Sequence, residues 1–593
     1  MKQIVLKKNC LSRLAGESFL EQYLHSLGIT QTDSFINKPS EADEGDPEAL
    51  CNMKKAVVAA YSLLSGGVEV YVQPDPDCDG FTSSAIIVNY LQRRFPNCKI
   101  TWELHSGKEH GIIMNAVPHT AQLVIIPDAG SNQFAEQKQL CAEGKTVIVL
   151  DHHEVEDMNE FATSPAIIVN NQVSPDYPNK SLSGAGVAYK FIKEMDKLYF
   201  TDPIYHDYGD LAAIGIIADA MNMTTLDNNY LAYWGLSHIH NKFIQMLAAK
   251  QARGIKNPDH LTKIDVAFYI APVINGVIRS GTPEDKQAVF EALITNDDDN
   301  FYDHTWRGVT KQETRWERAV RMAINAKGRQ DSLKRKSFEF LCEKIKAEHL
   351  DEHNLILVSL TQKEGIKVSA NITGLIAMEL VKEFNKPVVV VRQTELDGQS
   401  VLGGSGRNGN FRGLTDLKAE LEAANVFYAA GHANAMGVFI KPDQIDEVVS
   451  YFDSHLDTSS FSEPIYEVDY WYHTGDYFDT DMLMTMAEHD HLWGNGIPQP
   501  KFAFDINYDA SDVKIMGADK TSLKLRSQGV DFVSFKNPEL LKQLTEQSSG
   551  HITLVGRPQI NEWMGHKTIQ VVIDDAAISD AAATRGLSAA DLI

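Results

Sequence analysis

From Val68 to Asn171 short apolar runs alternate with helical patterns, the runs being VEVYVQ (68–73), QLVIIP (122–127), TVIVL (146–150) and AIIVN (166–170). Each is apolar at nearly every position, as a strand covered on both faces must be, and crossover helices fit between them. A parallel α/β sheet is therefore predicted. After Leu456 the runs begin to alternate: KFAFDINYD (501–509), SLKLRSQ (522–528), VDFVSFK (530–536), HITLVGRPQI (551–560) and TIQVVIDD (568–575). This pattern predicts a small β-barrel, and residues 579–593 read as a loose tail.

The residues that follow the first strands bring in chemistry. Asp75, Asp77 and Asp79 follow one, Asp128 the next, and Asp151, His152 and His153 the third. In open parallel sheets the carboxyl ends of the strands form the ligand crevice, so these groups can converge there. Carboxylates brought together repel unless a cation neutralises them. Aspartates mixed with imidazole suit Mn2+ or Mg2+, with zinc left open. Asp77 and Asp79, two apart, project the same way on an extended segment, and Gly80 permits a turn into a helix opened by Thr82, Ser83 and Ser84. Taken singly each residue has a plainer reading, because Asp-Gly is commonly a turn and a lone buried histidine is usually structural.

The 593 residues exceed what one hydrophobic core organises, so several domains are expected. No apolar stretch is long enough to span a bilayer, and the opening MKQIVLKKNCLSRL lacks the apolar run of a secretion signal, which points to the cytoplasm and away from membranes. The 6 cysteines form no C-x-x-C pair and read as reduced thiols. A net charge of -25 argues mildly against a nucleic-acid partner. Yet the stretch from Lys311 to Lys346 concentrates Arg315, Arg318, Arg321, Lys327, Arg329, Lys334, Arg335 and Lys336, and reads equally as a solvated long helix or a DNA-facing one.

PDPDCDG (74–80), PDAGS (127–131), LDHHE (150–154) and LAAIGIIADAM (211–221) resemble, in the same order, the signature motifs of the DHH phosphoesterases. The resemblance implies a pair of divalent cations held by Asp77, Asp79, Asp128, His152 and Asp219, with Asp128 bridging and Asp75 assisting. It implies that His153 contacts the scissile phosphate and that Asp151 braces an imidazole. Two cations stabilise the charge that develops on both the attacking and leaving oxygens of a phosphodiester, so water serves as nucleophile without a covalent protein intermediate.

SLSGAGVAYKF (181–191), INGVIRSGTPE (274–284), VSANITGLIAMELVKEFNKPVVVV (368–391), GGSGRNG (403–409) and AAGHANAMG (429–437) extend the likeness to the RecJ-type single-strand-specific exonucleases and their DHH-associated domain. By that resemblance Arg279, Ser405 and Arg407 hold a 5′ phosphate, and His432 belongs to the glycine-histidine motif of the same domain. A planar guanidinium beside a glycine-rich backbone suits phosphate, although GGSGRNG alone also reads as a flexible loop.

WGNGIPQP (493–500) and NEWMG (561–565) are similar to the OB-fold domain of the same family, with Lys524, Arg526, Phe535 and Trp563 as candidates for a single-strand groove or stacking platform. Any one of those aromatics reads as readily as core. HSGKEHG (105–111) departs from the asparagine-arginine pair usual in RecJ proteins, and Lys108 is the candidate replacement charge; the departures suggest a divergent, phage-encoded member.

The expected organisation is an N-terminal segment with the DHH catalytic domain (1–300), a connecting helix (301–349), an α/β DHH-associated domain that binds the 5′ end (350–456), an OB-like barrel (457–578) and the tail. The resemblance implies a monomeric 5′ to 3′ exonuclease on single-stranded DNA in recombination, repair or replication, with a single-strand-binding protein or helicase as partner. Two alternatives stay open: a phosphodiesterase of short oligonucleotides or cyclic dinucleotides, and a non-catalytic DNA-binding scaffold.

Overall fold

The computed structural model describes residues 4–7, 18–106, 110–252, 254–295, 300–360, 372–396, 399–409, 411, 414–456, 466–546, 548–563 and 565–579. The chain divides into two compact units, Lys38–Phe461 and Met1–Asn37 with Ser462–Ile593.

The larger unit opens on five parallel strands: β1 (Glu69–Val72), β2 (Lys99–Trp102), β3 (Leu123–Pro127), β4 (Thr146–Asp151) and β5 (Ile167–Asn170), in the spatial order β2-β1-β3-β4-β5. The predicted runs become β1, β3, β4 and β5. β2 is not among them, because an edge strand half-open to solvent needs no apolar run. Val124, Ile126, Val147, Val149 and Ile168 pack on one face with Phe134 and Leu140. Ile125 and Ile148 on the other face are equally buried. Three helices carry the chemistry: α1 (Cys78–Arg94), α2 (Gly184–Tyr199) and α3 (Gly209–Ala218).

Helices α4 (Ala271–Ser280) and α5 (Pro283–Ile294) lead to a segment expected to be helical throughout. It begins instead as a hairpin, β6 (Phe301–Trp306) and β7 (Val309–Thr314), and only then becomes α6 (Arg315–Ala347). The switch has a local cause: Thr314 caps α6 by accepting from the Glu317 amide, and Glu317 reaches back to the Thr314 amide. The basic run of α6 is largely paired. Arg315, Arg318, Arg321, Arg329 and Lys334 meet Glu291, Glu284, Glu313, Asp285 and Glu379 at 2.5–2.7 Å, and Lys327 meets Asp331 one turn on. Its charge therefore serves chiefly to fasten the helix.

A second sheet contains β8 (Ile356–Leu360), β9 (Val388–Leu396), β10 (Gln399–Arg407), β11 (Tyr428–His432) and β12 (Ala435–Ile440), in the order β11-β12-β10-β9-β8, with helix α7 (Thr373–Phe384) alongside. β8 and β9 are parallel and the other pairs antiparallel. Residues 368–371 of the predicted VSANITG segment lie outside the described residues.

The smaller unit carries a seven-stranded sheet, in the order Tyr470–Tyr472, Phe502–Asp509, Ser549–Trp563, His566–Ser579, Val530–Ser534, Ser522–Ser527 and Val513–Met516. All five predicted strands are present, but the two longest run on past the apolar alternation, through Asn561, Glu562 and Lys567, because backbone pairing does not require it. The N-terminal segment, expected with the catalytic domain, belongs to this unit instead. Ile4–Leu6 pairs in parallel with Tyr466–Val468, and Tyr23 packs edge-on against Trp493 and donates its hydroxyl to the Pro498 carbonyl at 2.6 Å. Among the described residues no helix is long and apolar enough to cross a membrane.

Candidate active site

Helix α1 begins earlier than its sequence suggests. Asp77 is its N-cap, with its carboxylate accepting from the Gly80 amide at 2.9 Å, so Asp79 sits in the first helical turn and not beside Asp77 on an extended segment. Asp79 is buried against the start of α2. Its carboxylate accepts from the Ser183 hydroxyl at 2.9 Å and from the amides of Gly184 and Ala185 at 2.7 and 3.1 Å. A helix N-terminus presents free amides and a positive dipole end, which suits a buried carboxylate. Two glycines make room: a Cβ on Gly184 would lie 2.4 Å from Asp128 Oδ1, and one on Gly215 would lie 2.2 Å from Asp79 Oδ1.

Asp128 leaves the end of β3 with φ at 63°, a left-handed conformation uncommon outside glycine, and its side chain is buried. His152, one residue past β4, brings Nε2 to 3.2 Å from Asp128 Oδ1, 3.5 Å from Asp219 Oδ2 and 3.9 Å from Asp79 Oδ2. Asp219 caps the C-terminal end of α3, where a helix dipole does nothing for an acid, and is partly exposed. Three overlapping groups have ligand atoms within 4.8 Å of one another: Asp128 with Asp151, His152 and His153; Asp79 with His152 and Asp219; Asp75 with Asp77 and Asp128. Asp128 and His152 each belong to two of them. Among the described residues Asp128 Oδ1 is buried without a hydrogen-bond donor.

This crowding governs protonation. Burial, then the neighbouring carboxylates, pushes Asp128 well above the usual range, Asp77 up to about 6 and Asp219 up to about 8. Burial holds His152 below its ordinary value. The buried unbonded oxygen, the shared acids and the neutral imidazole together fit divalent cations, which replace protons as the neutralising charge.

Two aspartate-histidine pairs flank the cluster. Asp151 accepts from the Ser131 amide at 2.9 Å, the His152 amide at 2.7 Å and His153 Nδ1 at 2.7 Å. Burial opposes the charge on Asp151, but the His153 hydrogen bond and the histidine charges outweigh it and hold the carboxyl low. The same hydrogen bond raises His153 to about 9. On the other side Asp75 accepts from His110 Nδ1 at 2.7 Å and the Gly111 amide at 2.9 Å, which raises His110. Sequence reasoning passes over His110 in favour of Lys108, which lies outside the described residues. Ser183 falls within a quoted motif without a role there, although a serine ahead of GAG is a cap signal. Asn275 is likewise missed; its side chain accepts from the Cys78 amide at 3.1 Å.

Arg279, one turn beyond Asn275 on α4, is close enough to Arg407 that the two like charges, after burial, lower the Arg407 guanidinium. Arg407 donates to the Gly406 carbonyl at 2.7 Å, and Ser405 shares a hydrogen bond with Thr373 at 2.9 Å. A Cβ on Gly374 would lie 2.4 Å from Arg407 Nη2. An arginine packed against a glycine-bearing helix start, with a second arginine near it, is an arrangement that suits an anion. His432 is exposed at the end of β11. In the smaller unit Lys524 is paired with Asp531 at 2.7 Å, Arg526 lies 3.8 Å from the same acid, and Phe535 is exposed. Trp563 closes its strand, paired with His566.

Comparison with known proteins bears on the family and the fold. Residues 68–216 match the DHH family, N-terminal domain, and residues 476–575 the RecJ OB domain. The protein designated SPbeta prophage-derived single-strand DNA-specific exonuclease YorK, of Bacillus subtilis, is 31% identical over 559 residues, covering 93% of this chain and 95% of its own. The single-stranded-DNA-specific exonuclease RecJ of Bacillus subtilis is 26% identical over 557 residues, covering 91% of this chain and 65% of its own. Among solved structures, RecJ in complex with Mn2+ from Thermus thermophilus superposes with a TM-score of 0.70 at 21% identity, covering 98% of this chain and 80% of that one, which is a likeness of fold.

Proposed function

Because the chain belongs to the DHH family of RecJ-like single-strand DNA-specific exonucleases, we propose that it hydrolyses phosphodiester bonds of single-stranded DNA from the 5′ end. The observation that carries the reading is that Asp77, Asp79, Asp128, His152 and Asp219 bring ligand atoms together in overlapping groups, with Asp128 Oδ1 buried and without a donor among the described residues. These residues, with Asp75 beside them, would hold two divalent cations. When bound, Mn2+ or Mg2+ neutralises the cluster and supplies charge stabilisation and an activated water.

The chain's own groups do the rest. His153, kept charged by Asp151, donates to a non-bridging oxygen of the scissile phosphate and offsets the charge that grows there. Arg279, Arg407 and Ser405 grip the terminal 5′ phosphate and so set where along the strand the scissile bond lies. His432 is assigned with these residues to the 5′ end of the DNA, and the OB-domain residues Lys524, Arg526, Phe535 and Trp563 to groove or stacking contacts with single strands. The proposed setting is the cytoplasm, with the protein acting as a monomer on single strands exposed by a helicase or coated by a single-strand-binding protein.

The test is digestion of one sequence as a linear 5′-phosphorylated strand, as a closed single-stranded circle and as a duplex, each with Mn2+. Mononucleotides from the linear strand alone support the proposal. Cleavage of the circle contradicts an exonuclease, and turnover confined to dinucleotides contradicts a DNA-length substrate.

A further inference from the structure

The hairpin β6–β7 belongs to neither the metal cluster nor the end clamp. Its base is fastened to α6: Glu313 is gripped bidentately by Arg321 at 2.7–3.0 Å, and the Tyr302 ring lies under the Arg318 guanidinium at 4.6 Å. Its tip stands out in solvent. Trp306 and Val309, paired across the strands, are 65% and 58% exposed, an unusual state for a tryptophan whose removal from water is strongly favoured. The Arg307 guanidinium stands 5.6 Å from the Trp306 ring, and Lys311 projects on the same face two pairs further in, opposite His304.

Charge identifies the occupant. From His304 to Lys311 the tip reads HTWRGVTK, with two cations and no carboxylate, on a chain whose net charge is -25. The arginines of α6 beside it are paired with acids, but no ion pair with a carboxylate engages Arg307 or Lys311 among the described residues. An exposed indole flanked by cations that no described carboxylate pairs is complementary to a base on its sugar-phosphate backbone, since every base offers a π face and every nucleotide a charge.

We propose that Trp306, Arg307 and Lys311 form a second contact for single-stranded nucleic acid, with Trp306 stacking on a base and the two cations holding adjacent phosphates. The site is separate from the end clamp. Gln330 of α6 touches Ser280, next to Arg279, and the hairpin joins α6 at Arg315, about 22 Å earlier along the helix. A strand held at both places is a long one, so the contact favours long substrates over short ones. This rests on the proposed single-strand substrate, but it is tested by binding and therefore stands or falls separately from hydrolysis.

The experiment uses the full chain in EDTA with labelled oligodeoxythymidylates, one long and one a 5′-phosphorylated trimer. Trp306→Ala should weaken the long strand about five-fold or more and leave the trimer unchanged, while Trp306→Phe retains most of the affinity. Arg307→Ala with Lys311→Ala should lower the slope of log affinity against log salt by about one and a half. All variants should melt with wild type, since these side chains are largely solvated. Unchanged long-strand affinity in Trp306→Ala, or equal losses on both lengths, overturns the proposal. Absence of hydrolysis by the wild type would instead count against the exonuclease reading and leave the binding result intact.

Discussion

The Ser183 hydroxyl donates to Asp79 at 2.9 Å from the cap of α2, and the next two amides of that helix hold the same carboxylate. Asp79 is thereby fixed by an element more than a hundred residues away in sequence, and the opening turn of α1 is tied to that of α2. Ser183→Ala removes one donor and leaves the fold. Hydrolysis is expected to fall about ten- to hundred-fold, with Ser183→Thr recovering most of it. The check is turnover at saturating Mn2+ beside a melting curve; full activity in Ser183→Ala would show that the hydroxyl positions nothing.

Gly215→Ala makes a harsher test of the same packing. Its Cβ would fall 2.2 Å from Asp79 Oδ1 and 2.4 Å from the Ala185 Cβ, so the carboxylate or α3 must shift. A displacement near an ångström at a reacting centre costs about a hundred-fold in rate, and that is the expected loss. Spectroscopic helix content should change little.

Asp77 at about 6 and Asp219 at about 8 set a pH dependence for the metal-free protein. Their folded values stand above the ordinary carboxylate range, so their contribution to stability is full below that range and is lost as pH rises through about 6 and then about 8. The melting temperature without metal should fall across this window, and Mn2+ should reverse the fall. Because cations displace those protons, apparent Mn2+ affinity should rise with pH, with proton release detectable in weakly buffered solution.

At the end clamp, Arg407→Ala is expected to reduce digestion of 5′-phosphorylated strands about ten-fold or more while altering 5′-hydroxyl strands little. Gly374→Ala, which crowds the same guanidinium, should act in the same direction. Equal losses on both kinds of end would contradict the clamp.

How far the sequence announces this differs from place to place. Strands β3 and β4 are legible because burial on both faces leaves no alternative to an apolar run, and Asp128 and Asp151 at their ends follow from the crevice rule. The half-exposed strand β2 leaves no such mark. The start of α1 is misjudged because PDPDCDG reads as a turn, and only the Asp77 cap shows that the helix begins inside the motif. Residues that act on others leave the faintest signals: Ser183, Gly215 and His110 matter through distances to groups remote in sequence, and a one-dimensional pattern cannot express them. The pairing of Ile4–Leu6 with Tyr466–Val468, which ties the N-terminal segment to the smaller unit, leaves no local trace.

The most direct measurement is a calorimetric titration of the metal-free protein with Mn2+, run beside digestion of an end-labelled single strand, for wild type and Asp79→Ala. Wild type should take up two ions and release nucleotides from the labelled 5′ end, with EDTA abolishing release. Asp79→Ala should lose at least one ion and all hydrolysis while still binding the strand. Equal ion uptake by both proteins, or digestion that persists in Asp79→Ala or in EDTA, would contradict a catalytic metal centre at this cluster.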